Sequence, residues 1–156
     1  MNNYHYIIAG LPDLVPDFGA QQFSYDEIAA TIRERLSKRD NALVDWLEFG
    51  LVEENLHHYF YHKAEHSKNQ FISKYFKFDR FVRNVQVSLL AKTLGKENEK
   101  YIMGDFDIEN DDYPQIAKIF EIQNIIEREQ ALDKFRWQKI SEINLYHYFD
   151  IDVILA

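Results

Sequence analysis

Residues 116–143 read IAKIFEIQNIIEREQALDKFRWQKISEI. Large apolar side chains recur in this stretch every three or four positions, which is the spacing of one face of an α-helix. Ile125 and Ile143 are about five turns apart on that face. Pro114, just before the stretch, suits a first helical turn because its missing N–H group would have no partner there. The stretch therefore predicts one long amphipathic helix that reaches Ile143.

Two shorter helices are predicted upstream. Ser24 and Glu27 have the spacing of a capping box, in which each side chain accepts a hydrogen bond from a free backbone N–H group. The helix that they open is expected to end near Ser37. Asp40 can cap a second helix, and we expect Trp46 to lie on the apolar stripe of that helix.

A third long helix is expected to start near Phe76 or Asp79 and to end at Gly95, which suits the left-handed conformation just after a helix. Only 5 Gly and 3 Pro occur in 156 residues, which argues against a turn-rich all-β fold. Residues 4–10 are aromatic and β-branched and predict a short strand, with residues 101–103 as a candidate partner. We therefore predict a mainly α fold of about five helices in an irregular bundle, with a short N-terminal extended segment.

The last residues suggest a helix that is cut short. Asp150 and Asp152 suit the N-terminal end of a helix, but residues 153–156 supply barely one apolar turn. We expect either that the chain continues past Ala156 or that another chain covers this end. The prediction is a single helical domain over residues 1–156 that lacks further C-terminal helices.

Composition excludes several classes of function. The absence of cysteine excludes a disulfide scaffold, a thiolate zinc site, an iron–sulfur cluster and a cysteine nucleophile. No apolar run approaches the ~20 residues needed to cross a bilayer, and the start lacks a signal segment. We expect a soluble, cytoplasmic protein without direct membrane insertion.

Charge is unevenly distributed over the chain, whose net charge is −8. Residues 61–104 carry nine basic and four acidic side chains, whereas both flanking segments are acidic. Basic residues interleaved with aromatic ones can indicate single-stranded nucleic acid binding, with bases stacked on the rings. Because the whole chain is acidic, long-range repulsion opposes binding of a polyanion, and we expect no nucleic acid. We favour instead a helix with a buried aromatic stripe and a solvated basic face that meets an acidic protein partner. The candidate partner-binding residues are Lys74, Lys77, Arg80 and Arg83.

Two alternative functions stay open: a single-strand nucleic-acid-binding module that uses the basic aromatic stretch, and a helical metal-binding enzyme that uses a histidine-rich stretch. On a continuous helix, Glu54, His58, His62 and His66 would share one side, and Glu54 with His57 forms one Glu-x-x-His unit. Such sites need further ligands from other helices, and polar histidines on a solvated face explain the spacing equally well. We therefore assign no metal ligand and no cofactor to this cluster, residues 57–66.

No other pattern supports an active site. Residues 105–111 alternate acidic side chains as calcium loops do, but Asn110 replaces the required Gly and Ile116 the bidentate Glu. No glycine-rich phosphate loop or serine-nucleophile sequence is present. We assign no catalytic residue and predict that the protein is not an enzyme.

Several short motifs, in order along the chain, resemble an uncharacterised bacterial family whose genes lie among those for V-type ATP synthase subunits. The motif at the N-terminus is YHYIIAGLPD, residues 4–13. The others are Arg83-Asn84, Leu89-Leu90-Ala91-Lys92, Gly104-Asp105, Glu127-Arg128-Glu129, Leu132-Asp133, Arg136-Trp137 and Tyr148-Phe149.

That family is similar in character to the C subunit of V-type rotary ATPases, a helical peripheral subunit. The resemblance implies a non-catalytic accessory or C-like subunit that takes part in ion transport by binding other V-type ATP synthase subunits. It also implies a location at the inner membrane through a protein complex. Within such a subunit we expect Arg128 and Arg136 to pair with neighbouring acids, and Trp137 to fill the core.

Overall fold

The computed structural model of this chain describes residues 4–17, 19 and 23–156. The described residues form eight α-helices and one 3₁₀ turn, and none of them forms a strand. The helices are α1 (Tyr4–Ala9), α2 (Tyr25–Arg33), α3 (Lys38–Leu51), α4 (His58–Glu65), α5 (Gln70–Thr93), α6 (Tyr113–Phe120), α7 (Ile125–Ile143) and α8 (Ile151–Leu155), and the 3₁₀ turn is Glu53–Asn55. The predicted mainly α class is confirmed, although the helices are more numerous than expected.

Helix α5 is the centre of the fold. It packs against α4, α6, α7 and α8 and contributes to two hydrophobic clusters. The first cluster, with Phe71 and Phe76 from α5, also contains Phe60 from α4 and Val44 from α3. The second contains Phe78, Val82 and Val85 from α5, Ile116 from α6, and Leu132 and Phe135 from α7. Because one helix supplies both clusters, the two halves of the core share a rigid element.

The prediction of an extended segment at the N-terminus is wrong, because residues 4–9 form α1. Ile7 is buried, the Tyr4 hydroxyl donates to Asp40 at 3.0 Å, and the Arg35 guanidinium carbon lies 4.5 Å from the Tyr6 ring centre. These contacts, together with packing on α8, outweigh the weak β preference of the aromatic and β-branched residues. The candidate partner segment, residues 101–103, is loop and turn.

The long helix predicted from Ile116 to Ile143 is interrupted. Helix α6 ends at Phe120, and Asn124 caps α7 by accepting hydrogen bonds from the N–H groups of Ile126 and Glu127 at 3.0 and 3.3 Å. The apolar period continues across the break, but Ile125 and Ile126 are exposed at the start of α7. Pro114 does lie in the first turn of α6, as predicted.

Capping residues explain the other shifted boundaries. Ser37, and not Asp40, caps α3 by accepting from the N–H group of Asp40 at 3.2 Å. Asn69 caps α5 and so starts this helix earlier than predicted. Ser24 occupies the cap position of α2, but its side chain makes no capping hydrogen bond. Gly95, with φ of 63°, follows α5 in the predicted left-handed conformation.

The apolar turn at the end of the chain packs within the chain. Asp150 caps α8, and Ile154 and Leu155 are buried against neighbouring helices. The buried Asp152 carboxylate accepts a hydrogen bond from the Asn69 side chain at 2.5 Å. These two apolar side chains therefore need no second chain to cover them.

Candidate partner-binding surfaces

Arg80, a predicted partner-binding residue, is committed to an internal clamp. Its guanidinium pairs with Glu65, donates to the carbonyl of Asp105 at 2.9 Å and also donates to that of Met103. The side chain is only 11% exposed. Arg80 therefore holds residues 103–105 onto α5, and breaking this pair to bind another protein would leave a nearly buried charge without its partner.

The same clamp requires a glycine and an asparagine nearby. Gly104 has φ of 65°, and a Cβ atom there would lie 2.7 Å from Nη1 of Arg80. The fully buried Asn84 side chain donates to the carbonyl of Met103 and accepts from its N–H group, both at 2.9 Å. The motif residues Asn84 and Gly104 thus have a structural role in attaching this loop.

Arg83 also has internal partners. Its Nε donates to Oδ2 of the buried Asp79 at 3.1 Å, and Nη1 lies 3.5 Å from Glu53. The Tyr61 hydroxyl donates to the same Asp79 oxygen at 2.5 Å. Burial, assisted by the negative charge of Asp79, raises the pKa of Tyr61. The group is a satisfied buried network rather than a free basic surface.

Lys74 and Lys77 are exposed, but their surroundings are not purely basic. With Arg80 they line a surface groove of about 660 Å³ between α5 and the loop that follows it. The carboxylates lining the groove are Glu65, Asp105, Asp107 and Asp112. Positive and negative side chains therefore face one another across it. Binding of an acidic partner by the four basic residues stays a prediction, and the structure leaves Lys74 and Lys77 as its accessible members.

The aromatic residues of the basic stretch do not form a stacking surface. Phe71, Phe76 and Phe78 are buried in the two hydrophobic clusters. Tyr75 and Phe81 are half-buried and also pack against those clusters. Stacking of nucleic-acid bases needs exposed ring faces, which these three buried side chains do not offer.

The histidine-rich stretch does not form the continuous helix that a shared ligand face requires. Glu54 lies in the 3₁₀ turn, whereas α4 begins only at His58. His57 caps α4, and the rings of His62 and His66 stack with centres 4.5 Å apart. Within residues 4–17, 19 and 23–156, no group of three or more His, Cys, Asp or Glu side chains is arranged to hold a metal ion.

The acidic segment after Gly104 is built from local turns. Asp107 accepts a hydrogen bond from the N–H group of Glu109, and Asn110 accepts one from that of Asp112, both at 2.9 Å. Asp112 also forms an ion pair with Lys139 on α7 at 2.9 Å. These contacts fix the conformation of the loop.

An apolar groove that the sequence pattern did not predict lies between α3 and α4. This aromatic groove has a volume of about 440 Å³ and is lined by Asp45, Trp46, Phe49, His57, Tyr59 and Phe60. Trp46, predicted on the apolar stripe of helix α3, is 40% exposed at the edge of the groove. The available signal was the density of aromatic residues between positions 46 and 60, but periodicity alone does not separate core from surface rings.

A second apolar surface is the loop between α7 and α8, which we call the apolar loop (residues 145–149). Four of its five side chains are large and apolar and are 57–83% exposed: Leu145, Tyr146, Tyr148 and Phe149. The Phe149 ring stacks on His5 of α1 with centres 4.2 Å apart. The loop includes the motif Tyr148-Phe149 noted in the sequence.

The remaining motif residues lie on α7. Arg136 pairs with Asp133 at 3.1 Å, and Nε of Arg128 lies 3.9 Å from Glu129, as the sequence predicted. Trp137, expected in the core, is exposed instead. Leu132 and Phe135 of α7 point into the second hydrophobic cluster. Trp137, two residues after Phe135, therefore lies on the outer side of the helix.

In the part of the chain that the structure describes, no helix has both the length and the apolarity needed to cross a membrane. A sequence profile of the family described as "Protein of unknown function (DUF2764)" matches residues 1–58, 48–112 and 109–156. No curated protein and no solved structure matches the chain.

Proposed function

We propose that this chain, which belongs to the DUF2764 family, is a non-catalytic accessory or C-like subunit of a V-type ATP synthase. Its role is to bind other subunits of the rotary complex through protein contacts. The sequence motifs described above support the choice of complex. The exposure of four large apolar side chains within the apolar loop, residues 145–149, carries the choice of a binding role.

Such exposure is unfavourable for an isolated protein. Each Å² of apolar surface transferred out of water is worth roughly 25 cal/mol, so clustered exposed rings mark a surface that gains free energy when it is covered. Tyr and Phe are also enriched at the centres of protein interfaces. The composition of this loop therefore supports a role as the centre of a contact surface.

The apolar loop is held in place, which lowers the entropy cost of binding through it. Nδ1 of His147 lies 2.5 Å from Oδ2 of Asp150, and the N–H group of His147 donates to the carbonyl of Asn144 at 2.9 Å. The Asn144 side chain also donates to the carbonyl of Asp152 at 3.3 Å. These bonds tie both ends of the loop to helix termini, so that its apolar side chains are presented in a fixed arrangement.

Affinity isolation from the native cell tests the proposal. The tagged wild-type protein should recover V-type ATP synthase subunits under mild conditions or after brief cross-linking. The double variant Leu145→Ser, Tyr148→Ser should recover at least about tenfold less, which corresponds to about 1.4 kcal/mol of lost binding free energy. Both side chains are exposed, so we expect the variant to fold.

A matched control removes equivalent apolar surface elsewhere. Ile125 and Ile126 are also exposed but lie at the opposite end of α7, so Ile125→Ser, Ile126→Ser should recover the subunits at the wild-type level. Recovery of none of the subunits by the wild-type protein would contradict the proposed complex. Equal losses in both double variants would contradict the specific role of the apolar loop.

A further inference from the structure

We infer that the aromatic groove is a docking site for a basic amphipathic segment of a partner protein. The occupant would place an apolar or guanidinium side chain among the rings and its lysines or arginines beside the acidic border of the groove. This inference rests on a surface separate from the apolar loop and does not depend on the identity of the rotary complex.

The base of the groove is an ordered aromatic cluster. Phe60 is buried and packs edge-on against Phe76 of the core, with ring centres 4.9 Å apart. Trp46 stacks on Phe60 at 5.4 Å, and Phe49 lies against it at 5.7 Å. Because its base belongs to the first hydrophobic cluster, the groove is formed before any partner binds.

Both sides of the groove are also fixed. The Asn55 side chain donates to the carbonyl of Phe49 at 2.9 Å, which ties the 3₁₀ turn to the end of α3. On the other side, Nδ1 of His57 accepts from the N–H group of Phe60 at 3.3 Å. A preformed groove does not lose side-chain entropy when it is filled, which favours binding.

The rings at the edge of the groove are exposed. Tyr59 is 65% exposed, and Phe49 and Trp46 are exposed beside it. A volume of about 440 Å³ accommodates one or two side chains. Helical and extended segments bind grooves in this manner, by inserting a few anchoring side chains.

Charge around the groove selects the occupant. Residues 40–62 contain five carboxylates and no lysine or arginine. Arg33 pairs with Asp45 and Glu48, and Arg83 approaches Glu53, so part of this charge is compensated from neighbouring helices. Asp45 and Glu53 nevertheless keep side chains that are 66% and 85% exposed.

An excess of exposed carboxylates beside aromatic faces favours a cationic, partly apolar ligand. Lysine and arginine are attracted both to the carboxylates and to ring faces, and Lys63 already lies 5.5 Å from the Tyr59 ring centre. An acidic peptide would be repelled. A membrane rich in anionic lipid would be repelled for the same reason.

Fluorescence of Trp46 tests the inference directly. The chain has two tryptophans, so Trp137→Phe leaves Trp46 as the only indole reporter, located at the groove. The probes are two synthetic peptides of roughly 18 residues, or about five helical turns, that share a leucine face. One carries lysines on its polar face and the other carries glutamates, and neither contains tryptophan.

We expect the lysine peptide to shift the Trp46 emission saturably and to bind at least about tenfold more tightly than the glutamate peptide. Tyr59→Ser should weaken the lysine peptide by a similar factor. Tyr101→Ser, which truncates an exposed tyrosine outside the groove, should leave its affinity unchanged. Asp45→Asn, at the one carboxylate among the groove's lining residues, preserves the apolar surface and should weaken only the lysine peptide.

Equal affinities for the two peptides, or unchanged binding by Tyr59→Ser, would overturn the inference. A larger Trp46 shift on vesicles of phosphatidylserine and phosphatidylcholine than on the lysine peptide would overturn it in favour of a membrane surface. Failure of the affinity isolation would not affect these outcomes, because the peptides and the purified chain are the only components.

Discussion

Gly50 is the residue at which α3 approaches the rings of α4 and α5. A Cβ atom at this position would lie 2.6 Å from Cζ of Phe60 and closer still to the Phe76 ring. Both rings are buried and belong to the first hydrophobic cluster, so neither can move away cheaply. Glycine at this position lets α3 approach these rings closely, because no side chain intervenes.

Gly50→Ala should lower the free energy of unfolding by about 1–3 kcal/mol because of overpacking, measured by urea denaturation. The effect opposes intrinsic helix propensity, which favours alanine over glycine by about 1 kcal/mol. Ala42→Gly on an exposed position of the same helix is the matched control and should lower stability by about that amount. A Gly50→Ala protein as stable as the wild type would show that the rings can rearrange.

Tyr61 and Asp79 form a buried pair whose energetics depend on pH. Burial raises the pKa of Tyr61 above the ordinary tyrosine value of about 10, so the folded chain retains this proton after the unfolded chain has begun to lose it. The stability that this group contributes is complete below pH 10 and decreases as the pH rises above it.

In urea titrations between pH 7 and 11.5, wild-type stability should fall more steeply above pH 9 than that of Tyr61→Phe, by up to about 1.4 kcal/mol per pH unit. The variant should also lose about 1–3 kcal/mol near neutral pH, because Asp79 loses a hydrogen bond. Below pH 9 the two profiles should run parallel, which serves as the internal control. Parallel profiles up to pH 11.5 would disprove the assigned role of this hydroxyl.

At the scale of single elements, α5 holds the loop that follows it through polar side chains. Asn84 and Arg80 together bind the backbone of residues 103–105. The sequence around Asn84 does not indicate that its side chain binds this loop, because the Met103 backbone is 19 residues away. The sequence therefore predicted the helix but assigned Arg80 to a partner surface.

Asn84→Ala should destabilise the protein by about 1–3 kcal/mol, since it leaves the N–H group of Met103 without its side-chain acceptor and the Met103 carbonyl with Arg80 as its one remaining side-chain donor. Hydrogen exchange should accelerate at the amides of residues 101–105 more than elsewhere. Gln86→Ala, on an exposed position of the same helix, should change neither property measurably. Equal exchange in both variants would mean that other contacts hold this loop.

The boundary between α6 and α7 shows why element lengths were harder to predict than element types. Apolar spacing continues through residues 119–126, so periodicity predicts one helix. Asparagine occurs both inside helices and as a helix cap. Here the Asn124 side chain accepts hydrogen bonds from two backbone N–H groups, which stabilises it as the cap of α7. Ile116 of α6 and Leu132 of α7 pack into one cluster across this break, a long-range contact that periodicity does not reveal.

At the scale of the whole molecule, α5 joins two hydrophobic clusters, and different parts of the chain contribute the other side chains of each cluster. Phe76 belongs to the first cluster, and Phe78, two residues further on, belongs to the second. Neither half can unfold without removing the helix that the other half packs against. This arrangement leads us to expect one cooperative unit, as the sequence-based domain assignment also predicted.

Single-tryptophan variants should report one common unfolding transition. Trp137→Phe leaves the reporter at the first cluster, and Trp46→Phe leaves it on α7. Adding Phe135→Ala, which truncates the second cluster, should lower stability by about 3–5 kcal/mol and move both urea midpoints together. If only the Trp137 signal shifts, the two clusters unfold separately and the single-domain prediction is wrong.

The sequence alone determined the properties that depend on neighbours within a few positions. The mainly α class, the first-turn proline of α6, the left-handed Gly95 and the acidic start of α8 all follow from local spacing and backbone chemistry. Tertiary structure decided which apolar and charged side chains found partners. It made residues 4–9 a helix, turned Arg80 inward and left the rings of the aromatic groove exposed, because those outcomes depend on contacts between segments that are distant in the chain.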